Sequence, residues 1–417
     1  MIKKGINLYK NNDLVRDNVI LFISTLILNI FGFLFHFYLG RALGPKDYGI
    51  LGVLLAFSYF LNVFLQSLQS TFAKFVAEYD SQNSFGKICY AFRRALRKLF
   101  IIGIILAFVF ILLVPYIGKF LHITDLNLLY LLTILIISTL LLAVVRGVMQ
   151  GLQKFKVLGL NLTLEGIVKF FGAVLFVSLG WKIYGAIFAF VLSLTLGVIF
   201  GILALRKYLL WENCEFFETK EIYKYSFPVL FMILFLTAFF SLDIMLVKHY
   251  FSEVDAGFYS ALSILGKIIF FGSVSISQVM FPKVSALIAK GKKHKTLYFK
   301  SLGAFLLMVI PLMILYLVFP RSIINIVFGN EYLGLVPVLG VFAIFIVLFG
   351  VVYLSSFYLV AQKKYRFIPL LFLFNLLEII GISYFHSSLL QVVYVLIGVM
   401  ACLSILLLVY ILNKNES

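Results

Sequence analysis

Charge is what this chain has least of. Asp, Glu, Lys and Arg make up 12% of its 417 residues, about half the share of a soluble domain, so a solvated globular surface is excluded. Cysteine is nearly absent: Cys89, Cys214 and Cys402 lie far apart, fit no metal or redox spacing and imply no disulfide framework. The five histidines are scattered, and HExxH, paired CxxC and GxSxG are all missing. Loops between the apolar runs are also short, whereas a lipid-sugar polymerase or ligase would be expected to carry a long outer one. The chain therefore reads as something other than an enzyme.

What fills the chain instead is apolar: 63% of residues are hydrophobic and mean hydropathy is +1.10. The apolar residues fall in runs of about 20 or more, each enough to cross a bilayer as a helix. Lipid cannot satisfy exposed backbone groups, so only helices and closed barrels span it, and runs without alternation exclude the barrel. Breaking at charges, Gly and Pro gives twelve spans, near 19–39, 49–72, 99–118, 126–145, 157–179, 183–205, 226–247, 257–281, 301–320, 334–360, 367–385 and 389–412. The expected class is all-α, a polytopic membrane protein. The first run is too long for a secretory signal core and lacks a small-x-small cleavage site, so it reads as a retained helix.

Lys and Arg orient the spans. One set of loops holds only Arg41, Lys46, Lys119, Lys182, Lys248 and Arg321; Lys169 and Lys267 lie inside spans, and the rest of the 35 fall in the alternate loops and termini. Positive charge marks the cytoplasmic side, so both termini are expected there, in the cell membrane. The net charge of +18 then reads as topology and contact with anionic lipid, not nucleic-acid binding, for which no recognition motif exists.

The chain repeats itself. Asp47-x-Gly49 is echoed by Asp255-x-Gly257, "FAKFVAEY" at 72–79 by "FPKVSALI" at 281–288, and Gln153-Lys154 by Gln362-Lys363, at offsets of 208 or 209. Half the chain is about that long, so two six-helix bundles are expected, 1–208 and 209–417. An even span number per copy makes them parallel repeats, and such duplication is typical of transporters.

Three stretches carry a resemblance: the "GRALGPKDYG" hairpin at 40–49, "KFVAE" at 74–78, and "LDIMLVKHYFSEVDAGFYSAL" at 242–262. With Asp243 followed by Glu253, Gly257 and Tyr259, the sequence resembles the polysaccharide and O-antigen flippase branch of the multidrug, oligosaccharidyl-lipid and polysaccharide exporter superfamily. The resemblance covers essentially the whole chain. It implies two six-helix bundles about a central cavity, alternating access, and transfer of a polyprenyl-(pyro)phosphate-linked oligosaccharide from the cytoplasmic to the outer leaflet. It also implies membrane lipids, the lipid-linked glycan, and glycan polymerases or glycosyltransferases as partners.

Ionisable residues inside spans are functional candidates by default. Asn161, Glu165 and Lys169 recur every four residues on one helical face, and Glu165 with Lys169 is expected to form an intramembrane ion pair. Asn375 and Glu378 share a face of span eleven, and Glu378 has no cation in its own helix. Asp243, Asn375 and Glu378 are the candidates for coupling to Na⁺ or H⁺, since oxygen donors suit the one and a protonatable pair the other. In some lipid-flipping relatives a sodium site lies between the seventh and eleventh helices, which is where the resemblance puts these three. No other cofactor or metal is expected. Arg41, Lys74, Arg146 and Lys267 are the candidates for a pyrophosphate, Arg as a bidentate donor and Lys as a point charge. Two other readings stand beside the flippase: a cation-coupled multidrug exporter of the same superfamily, whose cavity should be acidic, and a scaffold that kept the fold without transport. "GRALGPKDYG" lacks the GK[ST] of a phosphate-binding loop and reads as a hairpin, with Arg41 alone left to meet a phosphate.

Overall fold

A computed structural model describes residues 2–210, 214–216 and 227–413, all helices, turns and loops with no strand among them. Residue 226, where span seven was expected to begin, and the chain ends Met1 and 414–417 lie outside the described residues. The helices are α1 (Ile2–Ser81), α2 (Phe85–Phe120), α3 (Asn127–Gly151), α4 (Phe155–Phe176), α5 (Lys182–Ala204), α6 (Arg206–Leu209), α7 (Phe227–Ala238), α8 (Leu242–Tyr250), α9 (Glu253–Ala289), α10 (Lys295–Val318), α11 (Pro320–Val327), α12 (Val336–Ala361), α13 (Ile368–Tyr384) and α14 (Leu389–Asn413).

Nine helical stretches among the described residues are long and apolar enough to span a membrane, and α13 is a shorter apolar helix. Two of the nine are double. Gly44, at φ +70°, divides α1, and Pro45 opens its second piece, the position where a missing N–H costs nothing. A π-turn at Val177–Trp181 with Gly180 at φ +90° joins α4 to α5. Counted this way the twelve expected spans are all present.

Contacts group the chain into two compact units, residues 1–42 with 61–227 and residues 43–60 with 228–417. This differs from two contiguous halves, because the start of the second span belongs with the C-terminal helices. Within the first unit α3 packs on α2 and α5, and α5 on α4; within the second, α12 packs on α10 and α14, and α14 on α13. The pairing scheme is the same in both. Helix bounds agree too: the second piece of α1 ends at Ser81 and α9 at Ala289, α3 at Gly151 and α12 at Ala361. Left-handed residues that end helices recur at matching places, Asn83 with Gly291, His122 with Gly329, and Gln153 with Lys363. Asn tolerates that conformation and Gly adopts it freely, so the turns of the two copies were kept while their sequences drifted.

The hairpin residues lock into the second unit. A Cβ on Gly49 would lie 2.6 Å from the Gly257 nitrogen, and one on Gly257 would collide with the Pro45 carbonyl. Only glycine allows so close a backbone approach. Lys46 Nζ pairs with Glu253 Oε2 at 3.0 Å, and buried Tyr48 packs edge-on against Phe328 and Tyr332. The two Asp-x-Gly turns noticed as a repeat are thus in mutual contact.

One expectation fails at the cysteines. Cys89 and Cys214, 125 residues apart, form a disulfide with Cα atoms 5.5 Å apart; a separation that long carries no pairing information in sequence. Around it Arg93 Nε donates to the Leu209 carbonyl at 2.7 Å, and Phe216 meets the Tyr90 ring edge-on. The segment leaving the first unit is thereby fastened to the start of α2.

Candidate functional site

Span seven is not one helix. α7 stops at Ala238 and α8 begins at Leu242, leaving Phe239–Ser241 as a break. Broken helices inside a membrane are tolerated where the freed backbone finds other partners or lines a polar cavity. Here the turn's own N–H groups bond back to α7, Phe239 to Phe235, Phe240 to Thr237 and Ser241 to Ala238, and α13 adds a tie: Asn375 Nδ2 donates to the Phe235 carbonyl at 3.1 Å as well as to Leu371 in its own helix at 2.8 Å.

Asp243 sits in the first turn of α8, where a helix N-terminus favours negative charge. It is fully buried. Its Oδ1 accepts from the Ile244 N–H at 2.7 Å and its Oδ2 from the Tyr259 hydroxyl of α9 at 2.7 Å. Glu378 of α13 is equally buried. Among the described residues neither of its oxygens has a hydrogen-bond partner, nor has Asn375 Oδ1 or Ser241 Oγ. α8, which carries Asp243, packs on α13, which carries Asn375 and Glu378. Lys267 lies over the Tyr59 ring, 3.6 Å from its centroid, with Phe240 beyond.

Buried polar groups without partners are rare and call for an explanation. A set made only of oxygens, two of them carboxylates, fits a hard cation with oxygen preference, or a proton shared between the carboxylates. The three residues chosen from sequence for ion coupling, Asp243, Asn375 and Glu378, are therefore brought to one place. Sequence reasoning missed Ser241, Tyr259 and the break itself. Span seven stays apolar and has no Gly or Pro at the break, so the only signal was the pair of small hydroxyl residues, Thr237 and Ser241.

The first unit has a related cluster with a different outcome. Asn161 and Glu165 lie on α4, the counterpart of α13. The expected ion pair of Glu165 with Lys169 is corrected here: Glu165 Oε2 takes Arg146 Nη2 of α3 at 2.5 Å, while Arg146 Nε donates to Asn161 Oδ1 at 2.7 Å. A planar guanidinium can serve both acceptors at once, and an ammonium from the same helix cannot. Lys169 lies instead between the Phe35 and Phe190 rings, 4.6 Å from each centroid. Asn161 Nδ2 closes the network on the Gly197 carbonyl at 2.7 Å. At the place of Arg146 the second copy has Ser355 and Ser356, whose hydroxyls bond back to Val351 and Val352. One copy answers its glutamate with an arginine; the other leaves it unanswered and adds Asp243.

The candidate phosphate ligands of the first unit, Arg41, Lys74 and Arg146, have separate surroundings. Arg146 is buried and committed to Glu165 and Asn161. Arg41 is exposed and lies over the Phe37 ring, and Lys74 is exposed beside Phe75. These three belong to the first unit and Lys267 to the second.

Known proteins resemble this chain in sequence and in fold. Among curated sequences, an uncharacterized membrane protein of Methanocaldococcus jannaschii is 25% identical over 313 residues, 68% of this chain and 72% of that protein. Solved structures share the fold: an inward-facing multidrug resistance MATE family transporter of the MOP superfamily has a TM-score of 0.78 at 12% identity, covering 95% of this chain and 98% of that one. The lipid II flippase MurJ, in its inward closed conformation, has a TM-score of 0.74 at 16% identity, covering 95% and 88%. Residues 14–288 match the family described as polysaccharide biosynthesis protein, about two thirds of the chain, and the chain belongs to that family.

Proposed function

We propose that this protein carries a polyprenyl-(pyro)phosphate-linked oligosaccharide from the cytoplasmic to the outer leaflet by alternating access, driven by Na⁺ or H⁺. Family membership and the flippase fold support the substrate class, and the basic alternate loops support cytoplasmic termini. The observation that carries the coupling is the buried oxygen set beside the break in span seven.

The residues act as follows. With the site empty, Asp243 and Glu378 repel in a medium of low dielectric. A bound Na⁺ or proton removes that repulsion and lets α8 and α13 draw together, while Asn375 holds α13 to the carbonyl at the end of α7. Tyr259 fixes one Asp243 oxygen, leaving the carboxylate a defined direction. Closing on the ion is the step that shifts the balance between conformations, because only a ligand with unequal affinity for two states can do so.

Reconstituted vesicles loaded with a fluorescent lipid-linked oligosaccharide test this. Asp243→Asn and Glu378→Gln, made separately, should each abolish stimulation by a Na⁺ or pH gradient. Transport with unchanged ion dependence in both variants refutes the coupling. Cells lacking the gene should accumulate lipid-linked sugar on the cytoplasmic face.

A second reading, cation-coupled export of organic cations, is favoured by one observation: the carboxylates of the second unit are in excess while Arg146 of the first is neutralised. Vesicles that expel a fluorescent organic cation but leave the lipid-linked sugar in place would establish it.

A further inference from the structure

The turn between α12 and α13 forms a basic concavity unlike anything the transport reading uses. A cavity of about 490 Å³ is lined by Lys363, Lys364, Tyr365, Arg366, Pro369 and Tyr410. Three cations come from four consecutive residues, and the lining holds no acid. None of the three makes an ion pair among the described residues. Nor are they needed to cap the end of α12: the backbone N–H groups of Gln362, Lys363 and Lys364 donate to the Leu359 and Val360 carbonyls. Lys363 holds a left-handed φ of +56° to make that turn, a conformation uncommon for Lys.

The matching turn of the other repeat handles its charge differently. Its counterpart carries Lys154, whose ammonium lies over the Tyr208 ring at 4.9 Å and is satisfied within the protein. In the second copy the cations outnumber the available ring, and Tyr410, at the end of the last span, closes the opposite wall. Like charges gathered without counter-charge repel unless an anion joins them. Tyrosines at a span end sit at headgroup depth, with an apolar ring and a polar hydroxyl. Basic pockets between membrane helices at such a depth suit phospholipid phosphate.

We propose that this cavity is a binding site for the phosphate headgroup of an anionic phospholipid from the leaflet at the basic-loop end, with Lys363, Lys364 and Arg366 as its cationic donors. Tyr365 and Tyr410 complete its lining. The site is separate from the oxygen set at span seven and does not depend on what the protein carries.

The full-length protein, released from phosphatidylcholine vesicles with or without phosphatidylglycerol, is examined by native mass spectrometry and by phosphatidylglycerol titration. Wild type should retain phosphatidylglycerol. The variant Lys363→Gln/Lys364→Gln/Arg366→Gln should bind it about two orders of magnitude more weakly, from about a factor of five per charge. Lys154→Gln/Lys156→Gln, which removes charge at the matching turn of the other copy, should leave binding unchanged and serves as the folding control. Lys363→Arg/Lys364→Arg should bind like wild type. Equal binding by the triple variant overturns the proposal. So does full competition by inorganic phosphate at equal concentration, which would make the site one for a soluble anion.

Discussion

Arg146 serves two acceptors, and its removal exposes what each needs. Arg146→Gln leaves the Glu165 carboxylate largely buried without its guanidinium, a loss of about 3–5 kcal/mol for a broken buried pair. Adding Glu165→Gln should restore much of it, because the uncompensated charge is then gone; thermal unfolding of the purified protein compares the three variants. If the double variant is as unstable as the single one, the network matters for its shape and not its charge. At the second copy, Tyr259→Phe deletes the one hydroxyl that holds Asp243 Oδ2. Leaving that buried oxygen without a donor should cost about 1–3 kcal/mol and shift the ion concentration for half-maximal transport, with protein abundance unchanged. Sequence spacing placed Asn161, Glu165 and Lys169 on one face correctly, but it could not say that a neighbouring helix would present a better partner than the same helix.

At the scale of elements, the run lengths of apolar residues foretold all twelve spans, because crossing lipid is a constraint that composition alone satisfies. The interruption at Phe239–Ser241 was hidden for the same reason: Ser241 apart, its residues are as apolar as the helix they interrupt, and the Asn375 side chain that bonds to the end of α7 is distant in sequence. Contact between the Asp-x-Gly turns was hidden too, though their likeness was not. Gly257→Ala forces a Cβ into the Pro45 carbonyl and has no flexible neighbour to displace. It should lower the yield of folded protein severely, whereas Gly32→Ala, with nothing within 4 Å of the added methyl, should be neutral; size-exclusion profiles of the two variants decide. The Cys89–Cys214 bond predicts that a thiol-alkylating reagent labels one cysteine, Cys402, in the unreduced unfolded protein and all three after reduction.

For the whole molecule, duplication explains the plan and divergence explains the chemistry. Helix ends and left-handed turns match between the two copies, while Arg146 in one stands against Ser355 and Ser356 in the other. The proposed orientation and flippase reading rest on charge placement and family, and the proposed site on what the second copy lacks. The exchange of residues 43–60 into the second unit also has a bearing on synthesis. Chains fold domain by domain as they emerge, yet this segment is made within the first seventh of the protein and its partners appear only after residue 228. For most of translation, therefore, Gly49 and Tyr48 wait in the bilayer without the turn and aromatic rings that will receive them. A fragment ending at residue 226 should be degraded on its own and rescued when residues 227–417 are made in the same cell, so the last helices act as an assembly checkpoint for the first.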